Sequence, residues 1–291
     1  MIIRMKKTLT ILIVAALAFF IFIKEKDARK ETNPLYHEAK AAIVLEAETG
    51  KILYEQNSKE ALPIASMSKL MTQYIVLEAI ADGRLSWDSQ YKPSTAALNQ
   101  PRYAVMLGMD KRKTYNVREL FAAMTITSAN DAAVALAELV SGTEAEFVQE
   151  MNKKAEQFGL TNTRFINATG LDEADTNHAT ARDVAAIANE LLEQYPEVLE
   201  FTRMTDFTTS DGTRLWTTNL MLPGMPQEMI GMEGLKTGYT EEAGPCFAST
   251  GIYEGKRIIT VVMGVGVEGS DTSTPRFTLT RDLIDRYVLN E

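Results

Sequence analysis

Pro63-Ile64-Ala65-Ser66-Met67-Ser68-Lys69-Leu70-Met71-Thr72 is the stretch from which the rest of the chain is read. Pro63 stands just ahead of a helical pattern that runs from about Ser66 to Ala81 and stops at Gly83, the order in which proline opens and glycine closes helices. Ser66-x-x-Lys69 sets a hydroxyl and an amine on one helix face, because positions i and i+3 are neighbours there. A serine is a poor nucleophile until a base takes its proton, and a neutral lysine is a candidate for that base. A free lysine has a pKa of about 10.4, so only about one in 2,500 is neutral at pH 7, and lowering that value by three units requires roughly 4 kcal/mol. Burial, the positive end of the helix and a second cation can supply it. The motif alone is weak, since ordinary composition yields about one S-x-x-K in a chain this long. A second copy, Ser89-Gln90-Tyr91-Lys92, lies in a polar stretch against Pro93, which disfavours helix at Lys92; it reads as a solvated loop.

Working outward, Ser128-Ala129-Asn130 lies at a junction between helical stretches, around Val117–Met124 and from Asn130 to Val140, and Lys236-Thr237-Gly238 lies on a β-rich run. Taken singly, Lys69 reads as a surface helix lysine and Lys236 as an exposed strand lysine; together, Lys236 is the second cation if its strand lies beside the helix. Ala41–Ala47 and Lys51–Asn57 flank Glu48-Thr49-Gly50 as a hairpin. Thr143 with Glu146 and Thr180 with Asp183 look like capping boxes opening two more helices. Three strands follow, over Glu233–Tyr239, Pro245–Tyr253 and Arg257–Val265, the last two joined across Glu254-Gly255, and a closing helix starts at Thr274 or Pro275. Strands first, helices in the middle, then strands and a helix predict an α+β layering.

The chain has 291 residues, with 30 Lys plus Arg against 39 Asp plus Glu and a net charge of -9. An acidic chain without a long basic stripe lacks the electrostatic footprint of a nucleic-acid binder. The single cysteine, Cys246, excludes an internal disulfide framework and a multi-cysteine metal site, and its apolar strand marks it as a buried structural residue rather than a thiol nucleophile. Two histidines, His37 and His178, are too few for a His-rich metal centre. Neither a metal nor an organic cofactor is expected.

Residues 1–33 differ from the rest. Arg4, Lys6 and Lys7 precede an apolar run from Leu9 to Ile23, followed by the polar stretch Lys24–Asn33. As a helix the run is about 22 Å long against a hydrocarbon core of roughly 30 Å, short for a span unless snorkelling lysines extend it. The only small-x-small site, Ala16-Leu17-Ala18, falls inside the run, and cutting there would leave a greasy new N-terminus. An uncleaved signal-anchor is therefore preferred over secretion after cleavage, giving a single N-terminal apolar helix at the cell membrane through residues 9–23 and an extracytoplasmic remainder.

The ordered set Ser66-x-x-Lys69, Ser128-x-Asn130, Lys236-Thr237-Gly238 resembles the penicillin-binding serine acyl transferases. The flanks Ser128-Ala129-Asn130-Asp131-Ala132-Ala133, Asn167-Ala168-Thr169-Gly170-Leu171-Asp172 and Gly234-Leu235-Lys236-Thr237-Gly238-Tyr239-Thr240 narrow it to the low-molecular-mass D-alanyl-D-alanine carboxypeptidases. The resemblance implies a β-lactamase/DD-peptidase-like fold over residues 34–291, an antiparallel sheet flanked by helices plus a helical subdomain, without the β-rich C-terminal domain many relatives carry. It implies removal of the terminal D-alanine from peptidoglycan pentapeptide stems, with β-lactams as acylating inhibitors. By the same resemblance Ser66 attacks, Lys69 is its base, Ser128 with Lys236 passes a proton to the departing amine, and Asn130 orients Lys69 and holds the substrate amide. Thr237 and Arg276 would bind the terminal carboxylate, and the amides of Ser66 and Tyr239 would form an oxyanion hole. Arg276 otherwise reads as an arginine on an N-terminal helix face. Tyr239 departs from the histidine or serine common at that position, which leaves its backbone role intact. Two alternatives are a class A-like β-lactamase, for which the segment around Phe165-Ile166-Asn167-Ala168 supplies no deacylating glutamate, and a membrane-tethered penicillin or peptidoglycan sensor that does not turn over.

Overall fold

The hairpin forms because β-rich runs meet at a turn where Gly50 takes a positive φ of 68°. Its strands are β1 (Ala41–Glu46) and β2 (Lys51–Gln56). The C-terminal third supplies β3 (Met232–Gly238), β4 (Cys246–Tyr253) and β5 (Lys256–Met263). Together they make one five-stranded antiparallel sheet in the order β2-β1-β5-β4-β3, with β1 paired to β5 from Ala41↔Met263 to Glu46↔Ile258. The computed structural model describes residues 39–172, 174–266 and 274–290, and Ala39–Glu291 forms one compact unit. The apolar helix expected over residues 9–23 lies outside the described residues.

Both faces of the sheet are covered, which is why β4 from Cys246 to Gly251 and β5 from Ile258 to Met263 are buried without alternation. Phe247 lies opposite Val262 in the register, and its ring meets that of Phe277 with centroids 5.3 Å apart. That face packs on α6 (Pro275–Ile284), the closing helix. The neighbouring pair Ala248 and Val261 turns to the opposite face and joins the main core with Leu70, Ile75 and Ala188.

The main core centres on α1 (Lys69–Ala81), a helix with every residue from Lys69 to Leu77 buried. A helix apolar nearly all round belongs inside a protein rather than on its surface. Around it lie α2 (Val117–Ala122), α3 (Asn130–Ser141), α4 (Glu144–Gln157) and α5 (Ala181–Gln194). Thr143 and Thr180 cap α4 and α5 by accepting the N–H of Glu146 and Asp183. The Glu146 carboxylate does not complete a capping box there; it accepts the Thr143 hydroxyl. This is the expected α+β layering, with short strand pairs such as Leu62–Pro63 against His178–Ala179 pinning the loops.

Candidate active site

The nucleophile segment begins one turn before α1. Ala65–Ser68 forms a 3-10 turn that runs straight into Lys69, entered through Ala65 at a φ of +46°. Two glycines let other elements close on this turn. A Cβ on Gly170 would lie 2.0 Å from the Ala65 carbonyl oxygen, and one on Gly238 would lie 3.0 Å from that of Ile64. The loop over residues 165–172 and the end of β3 thus press against the turn at distances that a side chain would forbid.

Lys69 is fully buried, so the surface position it suggested in isolation is corrected: α1 is the core helix, and its first residue points into the molecule. Its Nζ lies 3.0 Å from Ser66 Oγ, 2.8 Å from Asn130 Oδ1 and 2.5 Å from the Thr169 carbonyl oxygen. The Asn130 amide is oriented unambiguously, because its Nδ2 donates to the Val105 carbonyl at 3.0 Å, leaving Oδ1 for the lysine. Asn130 Oδ1 and the Thr169 carbonyl can only accept. A neutral amine has two N–H bonds and one lone pair, so those acceptors use both hydrogens and the lone pair is left facing the Ser66 hydroxyl. Burial, and then the charge of Lys236, push the Lys69 amine well below its ordinary pKa, against the opposing pull of Glu144 and Asp131.

Lys236 is also buried rather than exposed, since β3, the edge strand of the sheet, is covered by the turn that leads into α1. Its Nζ donates to the Thr237 carbonyl at 2.9 Å, and burial followed by the nearby Arg276 charge lowers it to about 7. Ser128 sits at a φ of +69° directly after a π-turn over Ala123–Thr127, a conformation costly for a non-glycine residue and typical of a functional turn. Its hydroxyl makes no hydrogen bond among the described residues and lines the cleft. Arg276, at the start of α6, donates through Nη1 to the Gly238 carbonyl at 3.0 Å, while its buried Nε has no partner. No backbone acceptor takes the N–H of Ser66 or Tyr239 among the described residues, leaving both amides available to an oxyanion.

These groups share one cleft of about 590 Å³, lined among others by Ser66, Ser128, Asn130, Thr237, Gly238, Tyr239 and Arg276, together with Tyr103 and Val105. Lys69 and Lys236 lie beneath it. Several participants carried no sequence signal: the Thr169 and Val105 carbonyls, because any residue has one, and Thr218, whose Oγ1 lies 2.6 Å from that of Thr237. Asp131 stands in the sequence only as a flank of Ser128-Ala129-Asn130; its buried carboxylate accepts the N–H groups of Leu107 and Gly108 at 2.8 and 2.9 Å, holding the segment that carries Val105.

A family model described as D-alanyl-D-alanine carboxypeptidase matches residues 27–266. The chain belongs to that family. Among the D-alanyl-D-alanine carboxypeptidases, DacF of Bacillus subtilis is 38% identical over 266 residues, covering 89% of this chain and 66% of its own length. The chain therefore spans just under two thirds of that relative. The fold matches a peptidoglycan synthesis regulatory factor (PBP3) from Streptococcus pneumoniae, 37% identical at a TM-score of 0.81 over 86% of this chain and 71% of that one. It also matches penicillin-binding protein D2 from Listeria monocytogenes in its cefotaxime-bound form, 40% identical at a TM-score of 0.76 over 85% and 96% of the two chains. The DD-peptidase fold expected from the motifs is the fold of this carboxypeptidase-family chain.

Proposed function

We propose that this chain is a serine DD-carboxypeptidase that removes the terminal D-alanine from peptidoglycan pentapeptide stems and is acylated by penicillin. The observation that carries the reading is the buried Lys69 amine 3.0 Å from Ser66 Oγ. The ampicillin-bound form of the Listeria relative supports the penicillin part. Ser66 Oγ attacks the D-Ala–D-Ala carbonyl as its proton passes to neutral Lys69. The developing oxyanion is met by the amides of Ser66 and Tyr239. The proton moves through Ser128 to the nitrogen of the departing D-alanine as the amide bond breaks, leaving an ester on Ser66. Water then attacks that ester as its proton passes to Lys69; the Ser66 Oγ–acyl bond breaks, Lys69 returns the proton to Oγ, and the shortened peptide leaves as a carboxylate. Thr237 and Arg276 hold the terminal carboxylate, for which a planar, permanently charged fork is well suited. The apolar run over residues 9–23 holds the enzyme on the cell membrane with its catalytic part outside; the signal-like order of charge, apolar run and polar stretch supports this placement.

The test is D-alanine release from diacetyl-Lys-D-Ala-D-Ala by the parent protein and by Ser66→Ala. The parent is expected to release D-alanine and the variant to release none; equal release from both removes Ser66 from the reaction.

A further inference from the structure

Thr218 is tied to two of the three motifs at once. Its backbone N–H donates to the Ile126 carbonyl at 3.1 Å, in the π-turn that presents Ser128. Its Oγ1 lies 2.6 Å from Thr237 Oγ1. Both threonines line the cleft, as does Arg276. Neither hydroxyl has another hydrogen-bond partner among the described residues. Two hydroxyls carry two hydrogens; one lies between the oxygens, and the other must find an acceptor in the cleft. Arg276 brings a fixed positive charge to the same cleft, and its buried Nε has no partner of its own. Donors without matching acceptors fit a ligand group that only accepts, and an ionised carboxylate is such a group.

We propose that Thr218 is a specificity-determining residue for a free terminal carboxylate: it donates to Thr237 Oγ1, committing the Thr237 hydrogen to the ligand and strengthening the bond it makes there. The inference rests on the carboxypeptidase reading above and adds to it a residue that no motif marks. An uncharged terminal amide offers a poorer acceptor and brings its own N–H donors, so it gains little from the pair.

The experiment compares diacetyl-Lys-D-Ala-D-Ala with the same peptide ending in a carboxamide, on the parent, Thr218→Val and Thr218→Ser. Binding is read as KM for the acid and as an inhibition constant for the amide. Valine keeps the shape and removes the hydroxyl; serine keeps the hydroxyl, and equal thermal unfolding midpoints show that each variant folds. Thr218→Val is expected to weaken the acid peptide about tenfold, roughly 1.4 kcal/mol, with the loss falling on KM more than on kcat. The amide is expected to shift less than twofold, and Thr218→Ser to restore the acid value to within about twofold. Equal weakening of both peptides by valine, or none of either, overturns the proposal. A parent that releases no D-alanine from the acid peptide overturns the carboxypeptidase reading itself, and this inference with it.

Discussion

In Ser66-Met67-Ser68-Lys69 the chain makes a 3-10 turn and enters a helix, and the terminal hydroxyl and amine finish 3.0 Å apart. In Ser89-Gln90-Tyr91-Lys92 the same spacing runs through the short strand Gln90–Tyr91, paired with Tyr115–Asn116. There Tyr91 is buried and Lys92 is exposed. Positions i and i+3 are close on a helix and on opposite faces of a strand, so the same spacing gives a hydrogen-bonded hydroxyl and amine in one place and a solvated surface in the other. A motif carries chemistry only together with its backbone period, and the period is set by what surrounds it: a run buried on every side in α1, a polar stretch ending at Pro93 in the other.

The comparison is broken most severely by removing the amine of the helical copy. Lys69→Met is expected to lower kcat/KM for the tripeptide by about a thousandfold or more, within the range of a lost general base, measured as D-alanine release. A sharper test uses Lys236, whose ammonium is among the causes of the depressed Lys69 value. With Lys236→Met, the Lys69 pKa rises, and the ascending limb of acylation by a β-lactam against pH moves to higher pH. Stability changes in the opposite sense. Lys236 falls from 10.5 to about 7 on folding, so between these values the unfolded chain holds the extra proton and parent stability climbs with pH. Lys236→Met is therefore expected to be more stable than the parent by about 1–4 kcal/mol at pH 6, with the gain shrinking at pH 9, in urea unfolding. The smallest effect belongs to the strand copy: Lys92→Met is expected to leave kcat/KM within about twofold of the parent, and a larger fall would show that Ser89–Lys92 is not inert.

Much of the fold was legible because period and turn chemistry agreed. Thr49-Gly50 and Glu254-Gly255 mark hairpins whose strands fall within two residues of expectation, and α1 ends at Ala81, where Gly83 places it, but begins at Lys69 rather than at Ser66, which lies in the 3-10 turn ahead of it. The site was legible as far as side-chain types could reveal it, and the expected residues lie in or beneath one cleft. The burial of Lys69 and Lys236 was not legible from either lysine alone; it follows from the all-round burial of α1 and from β3 lying against it. The left-handed Ser128 and the π-turn before it leave no period to detect, being a departure from one. The carbonyls of Thr169 and Val105 are part of the common backbone, so only tertiary structure selects them.

The far end of the chain reaches back into the site through Arg276, held by the Gly238 carbonyl, and β1 near the other end finds its partner only in β5. As the polypeptide leaves the ribosome, the segment bearing the serine is therefore complete long before the sheet that backs it or the arginine that completes the cleft. A chain that stops before α6 lacks Arg276, and with it the hydrogen bond to the Gly238 carbonyl and one part of the cleft lining. Assembly of the cleft thus waits on a residue that lies about two hundred positions after Ser66 in the chain.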